Sequence, residues 1–343
     1  MATSVAIVGV SGLSGIELAR LVDGRPELEL VAALSDRWAG DRLGRWVRDL
    51  PTRGELVVQP MSELASVLDE AEIVALATPA EASAELAPKI LARGRRVLDL
   101  SGAFRIPDTE VFRSYYRFEH PEPALLAEAH FGLPQLPKAA GDAPPIEEAR
   151  LVANPGCYAT AAILPLAPLL AKGLVEADAL FVDGKSGVTG AGRKLAEKYL
   201  FSEVSENLSP YRVGDHQHTP EIELALSRVS GRDARITFVP NLVPIRRGIL
   251  ASCFGRLSAG TDPASLEPAL REAYESAASP LGRVVEVDVP EEVTVASVWG
   301  SARARLGVRG DAKRRSFAAV SAIDNLMKGA ASQALENLLR MIG

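Results

Sequence analysis

Short apolar runs and stretches with helical spacing alternate through the first third of the chain. Ser4-Val5-Ala6-Ile7-Val8 is apolar on both alternating sets of positions after Ser4. That is the pattern of a strand buried on both faces of a parallel sheet. Leu28–Leu34, Ile73–Ala77 and Val97–Leu100 read as further strands, while Ile16–Val22 and Ala82–Ala92 carry apolar residues at helical spacing. The alternation predicts an α/β fold built on a doubly wound parallel sheet. Later the pattern changes. Pro155-Gly156 makes a turn, and the apolar stretch Ala159–Leu170 predicts a helix with Cys157 at its start, interrupted by Pro165 and Pro168. Strands are expected at Ala179–Asp183, Arg235–Val239, Gly248–Leu257, Val284–Val287 and Phe317–Val320, with one helix at Leu266–Ala277. Strands with few helices imply an α+β second domain. An Ala- and Leu-rich helix ending near Met341 is expected to return to the first domain.

Composition narrows the class. A chain of 343 residues favours two domains. Hydrophobic content of 47% and charged content of 24% are those of a soluble globular protein. The net charge of −6 is mixed along the chain and offers no nucleic-acid footprint. Two cysteines make no disulfide framework and fit a reducing cytoplasm. The early strand, with no charged segment before it, implies no signal peptide. No apolar run reaches the roughly 18 residues of a membrane span.

Three stretches carry chemistry. Gly9-Val10-Ser11-Gly12-Leu13-Ser14-Gly15 joins a strand to a helix, the context a phosphate-binding turn requires. Gly9 allows the tight turn, Gly12 the approach of a pyrophosphate, and Gly15 close helix packing. The second strand ends in Ser35-Asp36-Arg37, where an acid favours a free ribose hydroxyl and an arginine a 2′-phosphate. Both are present. Ser35 and Arg37 holding a phosphate, with Asp36 turned away, would select NADP; Arg37 as a solvated loop charge is the plainer alternative. Ser101 follows the fourth strand, on the ligand-binding edge.

Cys157, after Asn154-Pro155-Gly156, would sit among unpaired N–H groups at the positive end of a helix, which favours the reactive thiolate. The alternative is a small buried apolar residue, as expected of Cys253. Gly184–Lys194, with Lys185, Ser186, Gly187 and Arg193, reads as a Gly-rich basic loop able to cradle an anion, without Walker spacing. In His216-Gln217-His218-Thr219-Pro220-Glu221 the histidines point to opposite sides of an extended chain and so do not share a metal. One of them can face the site as a proton shuttle, or the pair is a structural turn, with Thr219 capping a helix that starts at Pro220. His120 and His130 read as structural.

Taken together, Asn154–Tyr158, Ser186–Arg193, His216–Glu221 and Ala322-Ile323-Asp324-Asn325-Leu326-Met327-Lys328-Gly329 resemble the N-acetyl-γ-glutamyl-phosphate reductase family, a relative of aspartate-semialdehyde dehydrogenase. The resemblance runs nearly end to end. It implies a Rossmann domain carrying NADP(H), placed at residues 1–153 and 322–343, and a catalytic, dimerising domain at 154–321. It also implies a homo-oligomer, dimer or tetramer, and an acyl-phosphate substrate reduced to an aldehyde. By motif position Cys157 matches the nucleophile and His216 the acid–base histidine. Gly9, Ser11, Gly12, Leu13 and Ser14 fall on the cofactor loop, and Asn325 near the nicotinamide. Asn154, Lys185, Ser186, Gly187, Arg193, His218 and Glu221 are the candidates for holding substrate. Four positions depart from the expected pattern: Gln217 where a base is expected, Ala103 for an acid, Gln135 for Glu, and Ala302 in a Gly-Ser-Asn segment. The reading has two rivals: a reductase of carrier-bound aminoadipyl phosphate, and a nucleotide sensor without chemistry.

Overall fold

The strands of the chain fall into two sheets. A computed structural model describes residues 2–137, 145–193, 195–275 and 277–343. Thr3–Val8 (β1), Leu13–Asp23 (α1), Leu28–Leu34 (β2), Leu64–Glu70 (α2), Ile73–Leu76 (β3), Ala80–Ala92 (α3), Arg96–Asp99 (β4), Thr109–Tyr116 (α4), Ala124–Glu128 (α5), His130–Phe131 (β5) and Leu151–Ala153 (β6) come first. All the pairings among these strands are parallel, in the order β2-β1-β3-β4-β6-β5. β3 is buried at all four positions, as its unbroken apolar run demands. The chain moves outward from β1 to β2 and then crosses to β3. The crevice at the carboxyl ends of β1 and β3 is therefore the topological switch point, the place where such sheets bind ligands. β5 and β6 are too short to carry a periodic signal, and the sequence reading did not include them.

The second part contains Cys157–Ala171 (α6), Leu180–Gly187 (β7), Phe201–Val204 (α7), Ser209–Pro210 (β8), His218–Ser230 (α8), Ile236–Val243 (β9), Ile249–Arg256 (β10), Leu266–Tyr274 (α9), Val285–Val287 (β11), Ala304–Asp311 (β12) and Ser316–Ile323 (β13). Its mixed sheet has the order β11-β12-β13-β10-β7-β9-β8. α6 is apolar all round because it is enclosed: it packs on β10 and β13, with α8 and α9 also against it. A π-helical turn, Met327–Ala331, then leads into Ser332–Ile342 (α10). α10 packs on α1 and β4, so the last helix does return to the first sheet.

By contacts, residues 2–132, 145–155 and 330–343 form one unit, and residues 133–137 and 156–329 the other. The family resemblance places these lines at 153 and 321. β13 stays with the second unit through Ile323 because β10 and β12 flank it to its last residue.

Several elements differ from their expected bounds. β7 runs on to Gly187, since Gly184–Gly187 pair with both β9 and β10 or with β9 alone. The expected loop is therefore strand for its first half. β9 continues past Pro240, whose carbonyl accepts from Tyr211 N–H at 3.0 Å. β12 was not predicted at all: Arg305, Gly307, Arg309 and Gly310 hide its apolar alternation.

Candidate active site

In the first unit the glycine loop is shaped by contact. Gly9 has φ +86, and a Cβ there would lie 2.6 Å from the Ala77 carbonyl oxygen; at Gly15 it would lie 2.5 Å from that of Gly9. Neither position admits a side chain. α1 begins at Leu13 with no side-chain cap on Gly12 and no acid in its first turn. Its leading N–H groups, including that of Ser14, are thus set for an anion. Ser35 Oγ donates to Ser11 Oγ at 2.7 Å, tying the end of β2 to the loop. Asp36 turns aside to accept from Met61 N–H at 2.8 Å. Arg37 is exposed, with no carboxylate partner among the described residues. The donor set fits a dinucleotide: backbone N–H groups for the pyrophosphate, and hydroxyls with a cation at the ribose. Ser101 lies at the end of β4 and bonds to Asp99 through both its N–H (3.0 Å) and its hydroxyl (2.8 Å). Burial holds the Asp99 carboxyl above the usual range, against the pull of Ser101 and Arg105.

In the second unit Cys157 is the first residue of α6 and is half-buried, whereas Cys253 is fully buried. Burial pushes the Cys253 thiol up to about 12. Gly156 N–H donates to Glu221 Oε1 at 2.7 Å. A Cβ on Gly156 would lie 2.3 Å from His218 Nε2, so only glycine fits beneath that ring. Gly329 is constrained likewise: its Cβ would lie 2.7 Å from that of Cys157. The cysteine thus sits in a mould of Gly156, Glu221, His218 and Gly329.

The two histidines are together, not on opposite sides. α8 starts at His218 rather than at Pro220, which curls the chain and brings the rings to 4.7 Å between centroids. Thr219 does not cap the helix; it is buried inside the first turn. His218 N–H donates to His216 Nδ1 at 3.2 Å. His216 is buried, and burial, helped by Arg212 and opposed by Asp215, pushes its pKa down to about 3. The ring is therefore neutral near pH 7. With Nδ1 accepting, its proton is on Nε2. Tyr158 stands at right angles to the ring of His216, 5.7 Å away, and donates to Asn241 O at 2.9 Å. Burial raises the pKa of both Tyr158 and Tyr211, the latter to about 12.

A cavity of about 440 Å³ opens beside His216, lined by Ser186, Gly187, Lys198, Tyr211, Arg212 and Gln217 among others. Of the substrate candidates, Ser186 and Gly187 line it and the others stand elsewhere. Lys185 is on the opposite face of β7, as strand alternation dictates, and pairs with Asp183. Asn154, in the first unit, is buried, with its amide bonded to Asn337 and Ala330. Glu221 and His218 support Gly156. Arg193 is exposed on the segment after Gly192, and Lys194 lies outside the described residues. Asn325 accepts from Gly248 N–H at 2.6 Å and donates to Thr189 Oγ1 at 3.1 Å, holding two loops together. Lys198, Tyr211 and Arg212 are not among the candidates the sequence offers. They carry no motif; Tyr211 and Arg212 follow β8, which bonds to β9, and Lys198 stands on a short 3-10 turn, Glu197–Tyr199.

Comparison with known proteins now bears on this geometry. Residues 4–143 match the model of the semialdehyde dehydrogenase NAD binding domain, and residues 157–325 that of the semialdehyde dehydrogenase dimerisation domain. The N-acetyl-gamma-glutamyl-phosphate reductase of Pelotomaculum thermopropionicum is 39% identical over 340 residues, covering 98% of this chain and 94% of that one. The enzyme of the same name from Desulforudis audaxviator is 40% identical, covering 99% and 95%. The chain belongs to the N-acetyl-gamma-glutamyl-phosphate reductase family. Among solved structures, aspartate semialdehyde dehydrogenase II of Vibrio cholerae superposes with a TM-score of 0.75 at 16% identity, covering 100% of this chain and 98% of that one. The Candida albicans aspartate semialdehyde dehydrogenase with NADP gives 0.73 at 18%, covering 99% and 98%. These share the fold: a Rossmann-type parallel sheet and a mixed-sheet dimerisation domain. Membership makes the chain an oxidoreductase that uses a nicotinamide dinucleotide.

Proposed function

We propose that this chain reduces N-acetyl-L-glutamyl 5-phosphate to the 5-semialdehyde with release of phosphate, Cys157 serving as nucleophile. The observation that carries the proposal is the mould around Cys157: a half-buried thiol at the head of α6, where the helix end favours negative charge on sulfur. The thiolate attacks the acyl carbon, the carbon–oxygen bond to phosphate breaks, and a thioester remains on Cys157. The nicotinamide, when bound, supplies the hydride. His216 Nε2–H donates to the substrate oxygen as charge builds there, and the carbon–sulfur bond then breaks to return the thiolate. Ser11, Ser14, Ser35 and Arg37 would hold the dinucleotide, with Ser101 and Asn325 as further candidates toward its nicotinamide end.

NADPH is the cofactor this reading favours, because Asp36 is engaged by Met61 while Ser35 and Arg37 remain for a 2′-phosphate. The test is the reverse reaction: phosphate-dependent oxidation of N-acetylglutamate semialdehyde and of aspartate semialdehyde, each with NADP and with NAD. The proposal expects the first substrate with NADP to be favoured at least about tenfold in kcat/KM. A preference for aspartate semialdehyde contradicts it. A homo-oligomer belongs to the same reading, supported by the dimerisation-domain match and by the exposed pair Phe181 and Phe254 facing each other across β7 and β10. A monomeric molar mass by light scattering at micromolar concentration would exclude it.

A further inference from the structure

We infer that Lys198 and Arg212 form the subsite for the substrate's α-carboxylate, at the cavity beside His216. The inference rests on the proposed reading of the site. Once phosphate has left, the N-acetylglutamyl chain keeps one fixed charge, the α-carboxylate, and a pocket that selects this chain needs cations at the right distance from the sulfur. From the sequence, Lys185 and Arg193 are the candidates for this role. Lys185 is on the wrong face of β7 and already faces Asp183. Arg193 is not among the cavity's lining residues.

Among the described residues, Lys198 and Arg212 are the cations in the lining. The Lys198 ammonium lies over the Tyr199 ring, 5.2 Å from its centroid, with no carboxylate partner among the described residues. Arg212 is held in an unusual place. β8 bonds to β9, Tyr211 N–H donates to the Pro240 carbonyl, and Arg212 then takes φ +48. A left-handed conformation at a non-glycine residue is strained and persists only where surrounding contacts impose it. Here Asp215 N–H donates to the Arg212 carbonyl at 3.0 Å, and the Arg212 guanidinium donates to Gln217 Oε1. The Gln217 amide is neutral and steers the guanidinium. Asp215 is an ion-pair partner of Arg212, at 4.0 Å. The departure at Gln217 takes on a role in this light: the cation expected between the histidines is supplied from the β8 turn.

The same cavity offers the rest of the substrate suitable partners. Ser209, Tyr199 and Tyr211 line it, and an amide such as the N-acetyl group bonds to hydroxyl side chains of this kind. His216, the proton donor of the proposed reaction, lines the same cavity. A carboxylate on a guanidinium binds through two parallel hydrogen bonds, which fixes direction as well as charge.

The test compares two substrates in the phosphate-dependent oxidation: N-acetylglutamate semialdehyde and N-acetyl-4-aminobutanal, which lacks only the α-carboxylate. The readout is the ratio of their kcat/KM values. In Lys198→Met/Arg212→Met that ratio is expected to fall at least about fivefold, the discrimination a partly exposed charge pair supplies, with the loss in KM rather than kcat. Arg212→Lys should restore part of it. A ratio that changes less than this, including an equal loss on both substrates, overturns the inference. If the double variant does not fold, Gln217→Glu serves instead: a carboxylate set on the guanidinium competes with the substrate, and the same fall in ratio is expected. Failure of the wild-type protein to oxidise either aldehyde would overturn the reaction itself rather than this subsite.

Discussion

At the scale of single residues, the site depends on what surrounds two side chains. Cys157 is placed by neighbours that have no room to change: Gly156 under the His218 ring and Gly329 against the Cys157 Cβ. His216 is placed by a backbone bond from His218 that dictates its tautomer. This has a consequence for pH. The folded-state pKa of His216 lies at about 3, well below the unfolded value near 6.5. Between these values the unfolded chain binds a proton that the folded one refuses. Stability is therefore unaffected by His216 above about pH 6.5, and it declines as pH falls toward 3, by up to about 1.4 kcal/mol per pH unit. In His216→Gln the loss of urea-unfolding free energy between pH 6.5 and pH 4.5 should be smaller than in wild type. An identical pH dependence in the two proteins would contradict the burial argument.

At the scale of elements, α6 shows how a sequence that breaks a local rule is compensated by tertiary structure. Pro168 has no N–H to offer the carbonyl of Leu164. Tyr274, on α9, supplies the missing donor: its hydroxyl reaches Leu164 O at 2.7 Å in the buried core. Tyr274→Phe should leave that carbonyl unsatisfied and lower the unfolding free energy by about 1–3 kcal/mol, read as a lower urea midpoint with unchanged slope. An unchanged midpoint would mean that the carbonyl finds another partner. The same element illustrates what a sequence discloses. Helical spacing, a preceding Pro-Gly turn and a long apolar stretch made α6 legible, including Cys157 at its head. The strand–glycine–helix order did the same for β1 and α1. The histidine pair was misread because two residues were taken as extended, when a helix start at His218 curls them. β7 was read two ways, strand then loop, because glycines and a lysine obscured its continuation. Arg212 is not legible in the sequence because its position follows from the pairing of β8 with β9, a contact some 30 residues distant in the chain, and Lys198 sits on a short turn that carries no motif.

At the scale of the whole molecule, the chain divides its chemistry between units. One carries a glycine loop shaped for a dinucleotide, with Ser11, Ser35 and Arg37 at its rim. The other carries the cysteine mould, the neutral histidine and a cavity with two cations. The second unit is expected to form a covalent bond to substrate before any hydride arrives. The direct measurement is the intact mass of the protein after rapid mixing with N-acetylglutamyl phosphate in the absence of nicotinamide cofactor. The expected result is a gain equal to one N-acetylglutamyl group, located on Cys157 by peptide mapping, absent in Cys157→Ser and discharged when NADPH is added. A protein that turns over with NADPH yet shows no such adduct, or whose Cys157→Ser variant keeps its activity, would contradict the covalent route.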